Sequence, residues 1–221
     1  MDAKPLIKQI LLAFEQSSTK IRYDKIYKYD DGPNGIKQIT LSFGITEFGN
    51  LRNFLKDYIS ADGENAKYFA PYLDKVGKVS LVNDDEFVEK LKESASDPIM
   101  QKCQEEAYEK MYIDPAYGFC TKNGLVKNLS KLVIADSYLH SGSILSSLRN
   151  SYKETVPSNG GNEEKWVECY CKARKSWLAN HSRKILHNTV YRMNFMLDRI
   201  EKGDWDLTQS PFNANGVKIT T

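Results

Sequence analysis

The residues of this chain best able to do chemistry together are one glutamate and a pair of aspartates. Glu15 ends an apolar-faced stretch, and Asp30 and Asp31 follow about sixteen residues later at the start of a glycine-rich turn. A carboxylate at a helix end and another on a hairpin suit an acid and a base facing each other across a cleft, which is what glycosidic cleavage requires. In the inverting form of that reaction the acid is kept protonated by a less polar site. The base stays ionised roughly 6.5 to 9.5 Å away, leaving room for a water. Glu15 suits the acid, because Ala13 and Phe14 offer apolar company of the kind that keeps a carboxyl protonated. Asp30 or Asp31, on a polar turn, suits the base. Spacing alone is a weak signal, since helices often end in glutamate and turns often hold aspartate.

The elements that must position these groups are legible in outline. Leu6, Ile7, Ile10, Leu11 and Phe14 recur at helical spacing after Pro5, which predicts a helix ending at Glu15. Asp30 to Gly35 is a dense run of turn formers, and Ile36 to Ile45 is rich in β-branched and aromatic residues, which predicts a loop and a small hairpin or sheet. Helical patterns return over Leu51 to Ile59, over Glu86 to Leu91 after a cap at Asn83-Asp84-Asp85, and from Asp97-Pro98 through Met111. Leu125 to Leu148 is apolar on nearly all sides, as a helix in the middle of a domain should be. Beyond the flexible Pro157 to Asn162 loop lie two more helices, one with Trp166, Tyr170, Ala173 and Trp177, one with Ile185, Val190, Phe195, Leu197 and Ile200. After Gly203 the tail has no strong periodicity. The fold class expected is mainly α (α+β), with convincing strands only near residues 36 to 46.

Bulk properties bound the function. A chain of 221 residues, 41% hydrophobic and 27% charged, makes one globular domain of two lobes. A formal charge of +2 announces no nucleic-acid partner. No apolar run approaches the roughly 20 residues that cross a bilayer. Lys4 and Lys8 break the pattern of a signal peptide, so action on a cell wall would need another export route or release by lysis. Cys103, Cys120, Cys169 and Cys171 lack paired metal-ligand spacing, so neither a metal nor a cofactor is expected; one disulfide and buried thiols both stay open.

Five stretches carry more information together than apart. Ala13-Phe14-Glu15-Gln16-Ser17-Ser18 is a helix end bearing glutamate, an amide and two serines. Tyr27-Lys28-Tyr29 precedes the Asp31-Gly32 turn, with Phe43, Gly49 and Leu51 after it. Further on come Tyr112-Ile113-Asp114-Pro115-Ala116, then Ala135-Asp136-Ser137-Tyr138-Leu139-His140-Ser141-Gly142, then Ala173-Arg174-Lys175. In this order they resemble the family 46 glycoside hydrolases, the chitosanases, whose fold is related to that of phage lysozyme. The resemblance implies a lysozyme-like bilobed fold, with helices around a long buried central helix. It implies a single hydrolase domain over 1–221, its smaller lobe at about 16–85 and its larger lobe built from the N-terminal helix and about 98–221.

The resemblance also implies roles. Glu15 is the general acid. Asp31 is the base, because Gly32 follows it, with Asp30 as the alternative, and Thr40 positions the attacking water. Asp136 needs a partner in its apolar helix, and the resemblance supplies Arg174, with Arg183 or Arg192 extending the relay toward the acid. His140 is expected to be a satisfied histidine rather than a catalytic one.

Departures fall in the substrate groove, where Tyr29, Asn34 and Asn50 are the binding candidates. The family's Gly-Asp is Gly49-Asn50 here, and its arginine after Asp-Gly is replaced by Pro33 and Asn34. Loss of a carboxylate that grips glucosamine favours peptidoglycan, a muramidase or lysozyme-like activity, over chitosan. A non-catalytic glycan-binding protein is the third possibility. A monomer is expected, with a polysaccharide substrate and room for an immunity or inhibitor protein.

Overall fold

The computed structural model describes residues 3–220 and is mostly helical. The chain begins with α1 (Lys4–Gln16), β1 (Ile26–Tyr29), β2 (Gln38–Leu41), β3 (Ile45–Thr46) and α2 (Leu51–Ser60). It continues through α3 (Ala66–Phe69), α4 (Asp85–Glu93), α5 (Pro98–Tyr108), α6 (Asp114–Asn123), α7 (Asn128–Ser141) and α8 (Ser146–Arg149). It ends with α9 (Glu163–Ala179), α10 (Val190–Glu201), β4 (Phe212–Ala214) and β5 (Val217–Ile219). Two compact units result, one from residues 1–20 and 110–221, the other from 21–109.

The first unit is arranged around α7, whose Leu129, Leu132, Val133, Ile134 and Ala135 are buried and which packs against α1, α6, α9 and α10. A helix buried on so many sides cannot rely on water for its leading N–H groups. Leu129 N accordingly donates to Trp205 O (2.9 Å), and one carboxylate oxygen of Glu163 on α9 ties down the entry to the helix, accepting from Val126 N (2.9 Å), Lys127 N (2.8 Å) and Ser130 Oγ (2.7 Å). The helix is shorter than the apolar run to Leu148 suggests. It stops because Gly142 adopts φ +72° and closes the last turn on Tyr138 O, a left-handed cap that glycine takes without strain. Ile185 falls in a 3₁₀ turn ahead of α10 and is exposed, so the final helix starts at Val190.

Two strand features were not expected from the sequence. Ile26–Tyr29 is a strand paired antiparallel with β2. The tail folds into the β4–β5 hairpin, in which Ala214 pairs with Val217 across Asn215 (φ +54°) and Gly216 (φ +84°), the geometry an Asn-Gly turn favours.

The second unit hangs on buried polar groups that bind backbone. Its sheet has the order β1-β2-β3. Glu47, fully buried, accepts from Ile39 N (3.0 Å) and Leu81 N (2.5 Å), tying the sheet to the 77–82 segment. Asp97 caps α5 through Ile99 N and also accepts from Tyr58 Oη (2.6 Å) and Glu64 N (3.0 Å), joining α2, the following loop and α5. From α5 a single π-helical turn, Glu109–Ile113, leads into α6. All four cysteines are free thiols, with Cys169 half-buried and the other three buried.

Replacing Glu163 with alanine strands the fully buried Ser130 hydroxyl and frees the part-buried Val126 and Lys127 N–H groups. Glu163→Ala is expected to lower unfolding free energy by about 3 kcal/mol, with an unchanged denaturant slope in a urea titration. A loss below about 0.5 kcal/mol would show that solvent satisfies those donors instead.

Candidate active site

In the first unit the site begins at the last turn of α1. Ala13 and Phe14 face inward. The Phe14 ring meets Tyr191 and Phe195 edge-on at 5.7 and 5.4 Å, and Tyr191 Oη donates to Phe14 O at 2.6 Å. Ser17, at φ +51°, ends the helix on Ala13 O. Next to Phe14, whose ring lies 5.6 Å from the Arg192 guanidinium, the Glu15 side chain is about a third exposed and is hydrogen-bonded and ion-paired to Arg192 Nη2. The expected apolar surroundings of Glu15 are therefore corrected: helical spacing turns its neighbours into the core and its own carboxylate onto a guanidinium.

Arg192 belongs to α10 and is almost fully buried. Its Nη1 donates to Asp136 Oδ1 at 2.8 Å, and the other Asp136 oxygen lies 3.5 Å from Arg174 Nη2. The sequence left Arg183 and Arg192 open; the structure puts Arg192 in this chain of charges and leaves Arg183 exposed before the 3₁₀ turn. Burial opposes ionisation of Asp136, yet Arg192 and Arg174 more than offset it and hold its carboxyl below the usual range. Burial likewise works against the charge on Arg192, but Asp136 and Glu15 push its pKa above the ordinary value.

Arg174 is held in turn by groups the sequence did not single out. Its Nη1 donates to Ser137 Oγ at 2.5 Å and lies 3.4 Å from Tyr170 Oη, while Nη2 is 3.0 Å from His140 Nδ1. A guanidinium can only donate, so Nδ1 accepts and the imidazole is neutral. Burial first, then Arg192, bring the His140 pKa down to about 4; Asp136 pulls the other way, and Arg174 adds a smaller push downward.

In the second unit Asp31 and Asp30 follow β1 on an exposed loop, and they are held differently. Gln38 Nε2 donates to Asp31 Oδ1 at 2.9 Å. Asp30 sits 3.8 Å from Lys37 Nζ with its side chain 71% exposed. Gly32 cannot carry a side chain without clashing, since a Cβ there would lie 2.5 Å from Ile36 O, and Gly32 N bonds that same oxygen at 3.0 Å. Thr40 is on the middle strand, paired with Tyr27 and Thr46, and its buried Oγ1 has no partner among the described residues.

The three substrate-binding candidates divide. Tyr29 is half exposed and stacks on Tyr27, with ring centroids 5.7 Å apart and planes 10° from parallel. Asn34 is an exposed turn residue at φ +57°. Asn50 stands at the start of α2, and its side-chain oxygen accepts from Thr46 N at 2.8 Å. Its part in holding the β3–α2 turn was not visible in the sequence. Gln38, Ser137 and Tyr170 were missed because a polar residue inside an apolar pattern does not reveal its partner; Asp136 gave a signal only because its charge demands one.

The model of glycosyl hydrolase family 46 matches residues 9–211. The chain belongs to that family. This family 46 hydrolase is similar in fold to a native chitosanase from Bacillus subtilis MY002, at 21% identity and a TM-score of 0.82, over 100% of this chain and 98% of that one. It is similar also to the family 46 chitosanase of Gynuella sunshinyii in complex with chitotetraose, at 18% identity and a TM-score of 0.80, over 98% and 96%. A mutant of the Bacillus subtilis MY002 chitosanase complexed with 6 GlcN gives 21% identity and 0.79, over 96% and 93%. A sequence search of curated proteins finds no match. The protein is a glycoside hydrolase. Among its described residues no helix is long and apolar enough to cross a membrane, and no group of three or more His, Cys, Asp or Glu could hold a metal ion.

Because the folded pKa of His140 lies below the ordinary 6.5, the unfolded chain takes up a proton that the folded family 46 hydrolase refuses. Stability from neutral His140 is full above pH 6.5 and drains away as pH falls toward 4, at about 1.4 kcal/mol per pH unit inside that window. Calorimetry of His140→Asn is expected to show a flatter decline in Tm across the window than the parent. Equal declines would mean that another group titrates there.

Proposed function

We propose that the protein is an endo-acting chitosanase that cleaves β-1,4 bonds of chitosan with inversion, Glu15 serving as general acid and Asp31 as general base. The observation that carries this reading is the buried Asp136–Arg192 pair ending on the part-exposed Glu15 in a family 46 chain. A helix-end glutamate with only a solvating role would not call for a buried guanidinium beneath it. Glu15 delivers its proton to the leaving oxygen. When it is neutral, Arg192 keeps Asp136 as a counter-ion, so no unpaired cation is left in the interior. Asp31 draws a proton from a water that attacks the opposite face of the sugar, and Thr40 Oγ1, which has no protein partner among the described residues, supplies a hydrogen bond to that water. Asp31 is preferred to Asp30 because its carboxylate is fixed by Gln38 while that of Asp30 is open to solvent. The exposed Tyr29 offers a flat face for a sugar ring.

Chitosan is favoured over peptidoglycan on two grounds. The fold neighbours are chitosanases, two of them described with chitotetraose or 6 GlcN. The sequence argument for peptidoglycan rested on Asn50, and that side chain holds Thr46 N–H, a task an aspartate could also perform. Its identity therefore bears on the turn as well as on the substrate.

On chitosan, Glu15→Gln and Asp31→Asn are each expected to lower kcat by about 10²- to 10⁴-fold, while Asp30→Asn stays within about threefold of the parent. Proton NMR of early product should show the α-anomer. Purified peptidoglycan is incubated in parallel, with reducing ends identified by mass spectrometry. Release of muramyl products and none of glucosamine oligomers would replace chitosan with peptidoglycan, and parental activity in Glu15→Gln would end the catalytic assignment altogether.

A further inference from the structure

We propose that Gln38 is a positioning residue for the hydrolytic reaction, fixing the Asp31 carboxylate through a hydrogen bond from its side-chain amide. The proposal rests on Asp31 being the base. Gln38 opens β2, opposite Tyr29 in the β1–β2 register, and only 5% of it is exposed. Its amide cannot turn over. Phe48 N lies 3.2 Å from Gln38 Oε1, and a backbone N–H can only donate, so the oxygen must face Phe48 and the NH₂ must face Asp31. One side chain thus links the segment after β3 to the carboxylate beyond β1.

Asp31 needs such a link. It sits on an exposed loop, where a carboxylate turns freely about its side-chain torsions, whereas a base must hold a water to within a fraction of an ångström. The Gly32 N–H bond to Ile36 O fixes the neighbouring backbone. At position 32 an added Cβ would also come within 3.3 Å of the Phe48 ring and 3.5 Å of Gln38 Cβ, so the loop lies directly on the residues that orient the amide. A glutamine kept only to satisfy Phe48 N–H would not have to send its NH₂ to a carboxylate.

Gln38→Glu separates the two roles. It keeps the size and an oxygen for Phe48 N–H but puts an oxygen where Asp31 expects a donor; Gln38→Met removes both groups and serves as the second variant should the buried charge prevent folding. Turnover of chitosan by either variant is expected to fall about tenfold or more in kcat, with KM within about twofold, at a temperature where thermal melts show the protein folded. Added to Asp31→Asn, the Gln38 change is expected to cost nothing further in residual turnover, because the carboxylate it orients is gone. Parental kcat in folded Gln38→Glu or Gln38→Met would overturn the proposal. So would the same factor of loss in the Asp31→Asn background, which would mark a general structural effect. Parental turnover in Asp31→Asn alone would instead overturn the base assignment, and this inference with it.

Discussion

The constraint on which the first unit depends is the ionised Asp136 in a place with no water. Its carboxylate is wholly buried on α7, and a lone charge there would cost many kcal/mol. It is sustained by Arg192 from α10 and Arg174 from α9, while Glu15 from α1 takes the other end of Arg192. Two carboxylates and two guanidiniums sum to zero. Four helices are therefore held in register by one charge balance, and removing Asp136 from its centre would leave buried guanidiniums uncompensated, at a cost of about 3 to 5 kcal/mol. The same balance explains His140. A proton on it would add a fifth charge beside Arg174, so the imidazole accepts from that guanidinium and stays neutral.

The second unit solves a different problem with a different device. Three short strands bury little area, and β3 has only two residues. Beside an apolar core that includes Ile39, Leu41, Leu55 and Phe69, acidic and amide side chains fix the backbone by accepting from N–H groups: Glu47 from Ile39 and Leu81, Asp97 from Ile99 and Glu64, Asn50 from Thr46, Gln38 from Phe48. Burial raises the Glu47 pKa while its two backbone donors pull the other way, so this group trades part of its charge stability for rigidity of the sheet. The result is a fixed backbone under the exposed loop that carries Asp30 and Asp31, as the proposed mechanism requires.

How much of this was legible in sequence follows from the range of the forces involved. The helix ending at Glu15 and the caps at Asp84 and Asp97 are local, and the pattern of apolar and capping residues showed them. That Asp136 needed a cation was readable, because desolvation is a property of one residue in an apolar helix. The family resemblance supplied Arg174, but whether Arg183 or Arg192 joined it was not readable, since α10 reaches α7 only through tertiary packing. The β4–β5 hairpin carried its signal in Asn215-Gly216, but three-residue strands are too short for alternation to show. The apolar run to Leu148 hid the stop at Gly142, where backbone geometry outweighed composition. That Asn50 also holds the β3–α2 turn by accepting from Thr46 N–H was hidden, because a side chain's backbone partner four residues away leaves no mark in the sequence.

The charge network is graded, and the grading bears on the chemistry. Asp136 has no exposure and two cationic neighbours; Glu15 has one, and about a third of its side chain meets solvent. Breaking the inner pair would strand a buried carboxylate, whereas neutralising the outer one leaves Arg192 still paired with Asp136. Under the proposed mechanism Glu15, the member most open to solvent, is also the one that must gain and give up a proton. A free arginine under the acid would resist that step, because each protonation would orphan a buried cation. Asp136 removes the obstacle from within, and that is why a residue with no path to a substrate constrains the reaction.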